Sequence, residues 1–457
     1  MAFRPTPTGI AAGMTSFGAL ALLGAWLAAV MLGMLDAAPA ALSDPPVDRE
    51  QIERGAYLAV LADCSACHTP ADRPAFSGGL AIATPIGTVY ATNITPDLAT
   101  GIGRYRLYDF ERAVRRGILP DGTPLYPAMP FPSYARLSDS DVRALYAYFM
   151  NGVAPVKHPN EATGIPWPLS MRWPLTYWRM LFAPAVSQSG DTRDDPQYLR
   201  GAYLVEGLGH CGSCHTPRGF ALQEKALTAA DGPGYLAGGL VGHYVAGDLR
   251  GDPLTGLGRF TEEDILRLLQ TGRTDNTAAF GGMAEVVSHS TQFMREEDLR
   301  AVAHYLKALP GSRHEAGFAY DPAETSQLAA GNVSAPGALD YLNNCAACHR
   351  SSGKGYTQTF PALAGNPVVN NDDPSSLISI VLNGGSVPST GKAPAAFAMP
   401  PFRTRLDDQE TAAIVTFIRS SWGNKGTAVT SPEVARLRQA TAEDQSPTAR
   451  LGRTIVQ

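Results

Sequence analysis

Three short stretches of the chain combine two cysteines and a histidine at one fixed spacing. They are Cys64-Ser65-Ala66-Cys67-His68, Cys211-Gly212-Ser213-Cys214-His215 and Cys345-Ala346-Ala347-Cys348-His349, and together they use all six cysteines. Two thiols separated by two residues can each add to a vinyl group of one haem, and the adjacent histidine then becomes an axial ligand of the iron. A zinc site needs four ligands and gives no reason for that histidine. The sequence therefore predicts three covalent haem c groups, with His68, His215 and His349 bound to iron.

A methionine follows each motif at a comparable place, just before a predicted closing helix. Of the 11 methionines, these are Met129, Met283 and Met399. A proline directly follows Met129 and Met399, which stiffens the loop that would hold the thioether at the iron. Met283 lacks such a proline, and Met294 competes with it. We predict Met129, Met283 and Met399 as the second axial ligands.

The elements that must position these residues repeat with the motifs. Arg-Gly-Ala-Tyr-Leu occurs at 54–58 and again at 200–204. Apolar spacing predicts three middle helices, at Leu107–Arg116, Thr261–Thr271 and Pro374–Asn383. It also predicts three closing helices, at Ser138–Met150, Arg295–Leu309 and Asp407–Trp422. This order resembles the class I cytochrome c fold used three times. The resemblance implies an all-α protein of three tandem class I cytochrome c domains with loop-rich linkers, preceded by an N-terminal hydrophobic helix.

Length and charge agree with this division. A chain of 457 residues suffices for about three domains. We expect cytochrome c domains at 50–150, 197–310 and 335–423, linkers at 151–196 and 311–334, and a tail at 424–457. Only 17% of the residues are charged and the net charge is −5, so the chain has no surface suited to nucleic acid.

The N-terminal segment predicts export. Phe17–Leu35 is a run of 19 apolar or small residues, close to the roughly 20 that span a membrane. Ala38-Pro39-Ala40 has the form of a cleavage site, so residues 1–40 are either a signal peptide or a retained signal anchor. In both alternatives Arg4 stays in the cytoplasm and the bulk of the chain is exported.

The predicted first linker is rich in tryptophan. Trp167, Trp173 and Trp178 lie there, with Arg172 directly before Trp173 and Arg179 directly after Trp178. Aromatic and cationic side chains together suit a membrane interface, where rings settle at the headgroup level. The alternative is a strap that packs the first two domains together.

Several segments outside the motifs also resemble one narrower family. They are Gly164–Pro174, Ala284–Val287, Thr92–Asp97 and Gly101–Arg104. They are similar to the cytochrome c subunit of membrane-bound periplasmic dehydrogenases that oxidise alcohols, aldehydes, gluconate, sorbitol or fructose. The chain departs from that pattern at Val245–Leu249 and at Gly282. The resemblance implies a non-catalytic subunit that takes electrons from a separate dehydrogenase subunit, with a flavin or quinone cofactor, and passes them to membrane ubiquinone.

The residues alone leave two other functions open. Iron with histidine and methionine on both faces has no position for substrate, which favours an electron carrier. A haem enzyme, either a peroxidase or a reductase, would need an open axial position, and the second unit is where one fits. An electron-carrying subunit of a terminal oxidase is the third alternative.

Overall fold

The computed structural model describes Gly24 and residues 48–187, 193–311 and 317–443. Within these residues the chain forms three consecutive units. Each begins with a helix that leads into a Cys-x-x-Cys-His motif and ends with a closing helix.

The first unit contains five helices and one hairpin. They are α1 (Arg49–Leu61), α2 (Cys64–His68), β1 (Ala81–Thr84), β2 (Gly87–Tyr90), α3 (Leu107–Arg116), α4 (Phe131–Tyr134) and α5 (Asp139–Asn151). Side chains at the helix starts satisfy free backbone N–H groups, since Asp48 accepts from the N–H of Gln51 and Ser138 from that of Asp141. The two strands pair antiparallel, with Ala81 opposite Tyr90.

The linker and the second unit follow the same order with additions. The elements are α6 (Pro174–Phe182), α7 (Pro196–Ala202), a π-helix (Tyr203–Leu208), α8 (Gly212–His215), β3 (Gly239–Val241), β4 (Tyr244–Ala246), α9 (Glu262–Thr271), α10 (Gly282–His289) and α11 (Glu296–Ala308). Two short 3₁₀ turns lie at Ala229–Asp231 and Thr291–Phe293. Thr261 and Asp264 cap α9 reciprocally, as their sequence spacing favours.

The third unit has a helix on either side of the shared pattern. Its elements are α12 (Ala323–Ala329), α13 (Ala338–Asn344), α14 (Ala346–His349), α15 (Pro367–Asn370), α16 (Ser375–Asn383), β5 (Gly385–Ser386), β6 (Ala398–Met399), α17 (Asp408–Ser420) and α18 (Ser431–Glu443). Val434 and Leu437 of α18 are buried in the core of this unit. The first helix of the tail therefore packs on the third unit.

One glycine in each unit lets the first helix cross the closing helix closely. A Cβ on Gly55 would lie 1.9 Å from the carbonyl oxygen of Ala144, and one on Gly201 would lie 2.1 Å from that of Ala301. Gly337 stands in the same relation to Ala413, at 2.4 Å. No side chain fits at such distances, so the crossing point fixes the glycine of the repeated Arg-Gly-Ala-Tyr-Leu segment.

A π-helix keeps the second unit in register with the first. Cys64 lies ten positions after Arg54, whereas Cys211 lies eleven positions after Arg200. The segment Tyr203–Leu208 is π-helical, and such a turn absorbs one extra residue without ending the helix. The helix crossing and the haem motif therefore keep the same relative placement in both units.

Units one and two share a single hydrophobic core. One cluster joins residues of both, among them Leu58, Leu145, Leu204 and Tyr305. The third unit has a separate cluster around Tyr341 and Trp422. It is joined to the second unit mainly by polar contacts, such as those from Arg273 to the carbonyls of Pro388 and Ala395.

The structure corrects the predicted fold class. The all-α prediction is wrong, because each unit also contains a two-stranded antiparallel hairpin. The predicted N-terminal hydrophobic helix lies outside the described residues. Among the residues that are described, no helix is both long enough and apolar enough to cross a membrane. The predicted middle and closing helices are confirmed to within two residues at each end.

Candidate haem-attachment sites

The three motifs lie on the short helices α2, α8 and α14, which follow α1, the π-helical extension of α7 and α13. In the first two units the residue before the first cysteine adopts a left-handed conformation, with φ of 49° at Asp63 and 39° at His210. This turn separates the motif from the preceding helix. None of the six cysteines forms a disulfide, so both sulfurs of each motif remain for thioether bonds.

Each motif histidine donates a side-chain hydrogen bond to a distant backbone carbonyl. Nδ1 of His68 lies 2.6 Å from the oxygen of Thr92, Nδ1 of His215 lies 2.7 Å from that of Gly247, and Nδ1 of His349 lies 3.0 Å from that of Pro361. A carbonyl oxygen only accepts, so Nδ1 carries the proton. Nε2 then keeps its lone pair, as an axial ligand requires.

A glycine holds the main chain of each motif histidine. The N–H groups of Gly78, Gly238 and Gly355 donate to the carbonyls of His68, His215 and His349 at 2.9, 2.8 and 3.1 Å. All three glycines have positive φ, at 74°, 93° and 59°. The histidines are thus fixed at both backbone and ring, which is the support that a metal-binding imidazole needs.

Burial shifts the pKa of the three motif histidines and of five motif cysteines toward the neutral form. It lowers the pKa of all three histidines, outweighing the opposing effect of the bond to the carbonyl. Burial also raises the pKa of Cys64 and Cys211 to about 12 and that of Cys67 to about 11. It raises the pKa of Cys345 to about 12 and shifts Cys214 in the same direction. Reactive dithiols and zinc sites instead need thiolates.

The arrangement of these groups fits haem. Within residues 48–187, 193–311 and 317–443, no three His, Cys, Asp or Glu side chains converge as metal ligands do. Thiols and imidazole therefore do not serve one ion. They suit a planar group that takes thioether bonds at its rim and an imidazole at its centre. The residues present fit the group that the sequence predicts.

The predicted methionine ligands lie in three different settings. Met129 lies in the loop before α4 and packs against the shared core, and Met399 lies on β6 and packs against the core of unit three. Met283 is half-buried on the second residue of α10. Met294 packs against the shared core next to the start of α11. Asp141 and Asp298 lie at equivalent places in the closing helices of units one and two. Met129 precedes Asp141 by 12 positions and Met283 precedes Asp298 by 15, so this comparison favours Met283 as the equivalent of Met129.

The tryptophan-rich linker has both a buried and an exposed side. Trp178 donates from Nε1 to the carbonyl of Ala221 at 2.8 Å and packs edge-on against Phe131. It therefore straps unit one to unit two. Trp167 and Trp173 are 80% and 49% exposed.

Further exposed apolar side chains accompany these two tryptophans, in the linker itself and in a loop of unit two that contacts it. We call the apolar patch the set Trp167, Leu169, Trp173, Leu181 and Phe220, all of which are exposed. Phe220 belongs to the second unit, and its ring contacts Phe182 beside Leu181. Sequence analysis missed Phe220, because its loop is distant in the chain from the linker.

Comparison with a family model finds one match. The model described as Cytochrome c matches residues 334–422, which is the third unit. It matches neither of the first two units, so the predicted series of three tandem class I domains is corrected on this ground as well.

Comparison with known proteins finds relatives over most of the chain. The cytochrome c subunit of alcohol dehydrogenase (quinone) from Gluconacetobacter polyoxogenes is 51% identical over 403 residues, covering 87% of this chain and 86% of that protein. The gluconate 2-dehydrogenase cytochrome c subunit of Pantoea cypripedii is 49% identical, covering 90% and 94%. The fructose dehydrogenase cytochrome subunit of Gluconobacter japonicus is 36% identical, covering 85% and 83%.

Proposed function

The chain belongs to the family of cytochrome c subunits of dehydrogenases, and from this premise we propose that it carries electrons from a catalytic dehydrogenase subunit to ubiquinone through three haem c groups. The relatives are cytochrome subunits and not catalytic ones, so the chain is the electron-transfer part of an oxidoreductase complex. This family membership favours a dehydrogenase over a terminal oxidase as the partner.

One observation carries the proposal of three haems. The same pair of hydrogen bonds, from the histidine ring to a carbonyl and from a glycine N–H to the histidine carbonyl, occurs at all three motifs. Each of these histidines directly follows a Cys-x-x-Cys pair, and each has the same two hydrogen bonds. A histidine with only a structural role would not require this support at all three motifs.

The residues have distinct roles in this proposal. Three thiol pairs, Cys64 with Cys67, Cys211 with Cys214 and Cys345 with Cys348, would hold the haems by thioether bonds. His68, His215 and His349 would bind iron through Nε2, with Met129, Met283 and Met399 as the second ligands. When bound, haem supplies an iron that accepts and releases one electron. The protein fixes the ligands, which contributes to setting the reduction potentials.

The partners follow from the family and from the surface. We propose that the catalytic subunit carries a flavin or quinone cofactor, as the family resemblance implies, and that its substrate is an alcohol, a sugar or a sugar acid. We place the chain on the periplasmic side of the cytoplasmic membrane, with the apolar patch against the lipid. Trp167 and Trp173, which are 80% and 49% exposed to solvent, support this placement, because indole rings prefer the headgroup region of a membrane.

A haem enzyme with an open axial position in unit two is the second candidate. The specific observation in its favour is that Met283 lies on a helix and not in a proline-stiffened loop.

The test uses the mature chain purified with its dehydrogenase subunit. A pyridine haemochrome assay should give three haem c per chain, and the substrate of the dehydrogenase should reduce them. Two or fewer haems per fully matured chain would refute the three-haem proposal. Carbon monoxide binding to a third of the reduced haem would favour the enzyme instead of the carrier.

A further inference from the structure

Units one and two exchange one hydrogen bond in each direction. Tyr57 of α1 donates to Oδ2 of Asp298 on α11 at 2.6 Å. In return, Tyr203 at the start of the π-helix donates to Oδ2 of Asp141 on α5 at 2.5 Å. Each tyrosine belongs to an Arg-Gly-Ala-Tyr-Leu repeat, and each aspartate belongs to the closing helix of the other unit. The contact is therefore reciprocal, as across a two-fold axis.

An arginine of the same repeat fixes each aspartate from within its own unit. Arg54 donates to Oδ1 of Asp141 through Nε and Nη2 at 2.9 and 2.5 Å. Arg200 donates to Oδ1 and Oδ2 of Asp298 at 2.7 and 3.0 Å. We call Tyr57, Asp298 and Arg200 the first clamp, and Tyr203, Asp141 and Arg54 the second clamp.

The tyrosine oxygens also accept hydrogen bonds at equivalent places. The N–H of Arg295 donates to Oη of Tyr57 at 3.0 Å, and the N–H of Ser138 donates to Oη of Tyr203 at 3.3 Å. Both donors lie three positions before the aspartate of the clamp. Every pair of bonded residues in the first clamp therefore has a counterpart in the second, although Arg200 donates to both oxygens of Asp298 and Arg54 to only one oxygen of Asp141.

The carboxyl groups of both clamps are buried. Asp141 and Asp298 are only 2% and 3% exposed. Burial alone would raise the pKa of Asp298, but the hydrogen bonds from Arg200 and Tyr57 outweigh it and hold that pKa below its usual range. A buried charge held by both an arginine and a tyrosine restrains the positions of all three groups.

The clamps lie on the helices that lead into the haem motifs. Tyr57 lies on α1, which ends shortly before Cys64. Tyr203 lies on the π-helix, which ends shortly before Cys211. Between the clamps the two units also touch near the motifs, where the rings of Tyr134 and His210 meet edge-on with centroids 5.6 Å apart. Ser290 of unit two donates to the carbonyl of Leu61 at 3.4 Å.

The third unit lacks this device. Pro336 and Leu339 stand where the first two units have the arginine and the tyrosine, in register with the crossing glycine Gly337. Leu339 is 52% exposed. The clamps thus belong to one pair of units and are not a general feature of the repeat.

We propose that the two clamps are positioning residues for electron exchange between the haem sites of units one and two, which they hold in a fixed mutual placement. This inference rests on the proposed function, because it needs haem at both motifs. The clamp residues act through the helices α1 and α7 with its π-helical extension, which lead into the two motifs.

The test removes both clamp hydroxyls from the mature complex with the substitutions Tyr57→Phe and Tyr203→Phe. Phenylalanine keeps the ring that Arg295 covers at 4.4 Å in the wild-type protein. The matched control is Tyr146→Phe, which removes a hydroxyl that donates to the Tyr105 carbonyl within unit one. Haem content is measured first, by pyridine haemochrome. Electron exchange between the first two haems is then followed after flash reduction, and the magnetic coupling between their ferric forms is measured by electron paramagnetic resonance.

The double variant should keep its full haem content and its His/Met spectra. Its exchange rate should fall by on the order of tenfold, because small misplacements of redox partners have large kinetic effects. The distribution of magnetic coupling strengths between the two ferric haems should become broader. The control should match the wild type in both exchange rate and coupling. Wild-type rate and coupling in the double variant, or an equal loss in the control, would overturn the inference. A wild-type chain without haem in units one and two would instead refute the proposed function on which it rests.

Discussion

At the scale of single residues, the histidine supports show what local sequence reveals and what it hides. Cys64, Cys67 and His68 were identified from their spacing alone, because thioether and axial bonds require neighbours in the chain. The acceptor of the His68 ring, the carbonyl of Thr92, lies 24 residues away. In the other units the separation is 32 and 12 residues. No fixed spacing marks these acceptors, so sequence analysis did not find them.

The glycine beside the first motif gives a direct test of this support. A Cβ on Gly78 would lie 2.4 Å from the carbonyl carbon of Thr92, the residue that accepts from His68. Gly78→Ala should displace Thr92, weaken the bond to the imidazole and shift the reduction potential of one haem. Gly122→Ala is the control, since Gly122 also has positive φ but would meet no atom within 4 Å. Both variants place an alanine at positive φ, which costs about 1–2 kcal/mol of stability in each. Because only the Cβ of Gly78→Ala would meet Thr92, only that variant should change a haem reduction potential.

Two methionines in unit two can be distinguished by the same kind of substitution. Met283→Leu should abolish the thioether–iron band of one haem in the near-infrared, because leucine has no sulfur to bind iron. Met294→Leu should leave all bands in place and cost less than about 1.5 kcal/mol, since it conserves volume in the core. The reverse result would assign the ligand to Met294.

At the scale of elements, the helices were predictable and the hairpins were not. Periodic apolar residues defined α3, α5, α9 and α11 to within two residues, since each helix buries one face. The hairpins are only two to four residues per strand, too short for alternation to be recognised. The π-helix was missed for a related reason. One extra residue between Arg200 and Cys211 does not disturb the apolar pattern, and only the three-dimensional register reveals its role.

A histidine joins three elements of unit two in a pH-dependent way. His304 of α11 has Nε2 at 3.0 Å from Asp195, the N-cap of α7, and Nδ1 at 2.9 Å from Glu262 of α9. Hydrogen bonds to Asp195 and then Glu262 raise the pKa of His304. Protonated His304 therefore stabilises the folded chain through its two carboxylate partners. This contribution is complete below the ordinary histidine pKa of about 6.5 and is lost as the pH rises through the raised pKa.

The melting temperature should therefore fall between about pH 6 and pH 9 in the wild type and much less in His304→Gln. His158→Gln is a suitable control, because Nε2 of His158 faces Arg73 and not a carboxylate. Equal slopes in the wild type and His304→Gln would show that this bridge does not contribute to stability.

At the scale of the whole molecule, the proposed membrane contact of the linker and its packing between units one and two involve different tryptophans and can be tested separately. Trp167→Ser with Trp173→Ser should reduce sedimentation with vesicles and leave the melting temperature unchanged, because both rings are exposed in the wild type. Trp178→Ser should lower the unfolding free energy by about 2 kcal/mol or more, since it removes the strap between units one and two. Both measurements use the chain without residues 1–40. Unchanged vesicle binding of the double variant would contradict the membrane placement.

The reciprocal clamps have a consequence for how such a chain arises. A face that pairs with its own repeat is self-complementary, so a single unit bearing that face would bind a second copy of itself as a homodimer. Joining two copies by a linker makes the same contact intramolecular and raises the effective concentration of each half for the other. Units one and two thus have the architecture of a dimer whose two copies are joined in one chain. The third unit has Pro336 and Leu339 in place of the arginine and the tyrosine, so it cannot make the same clamp contacts with either of them.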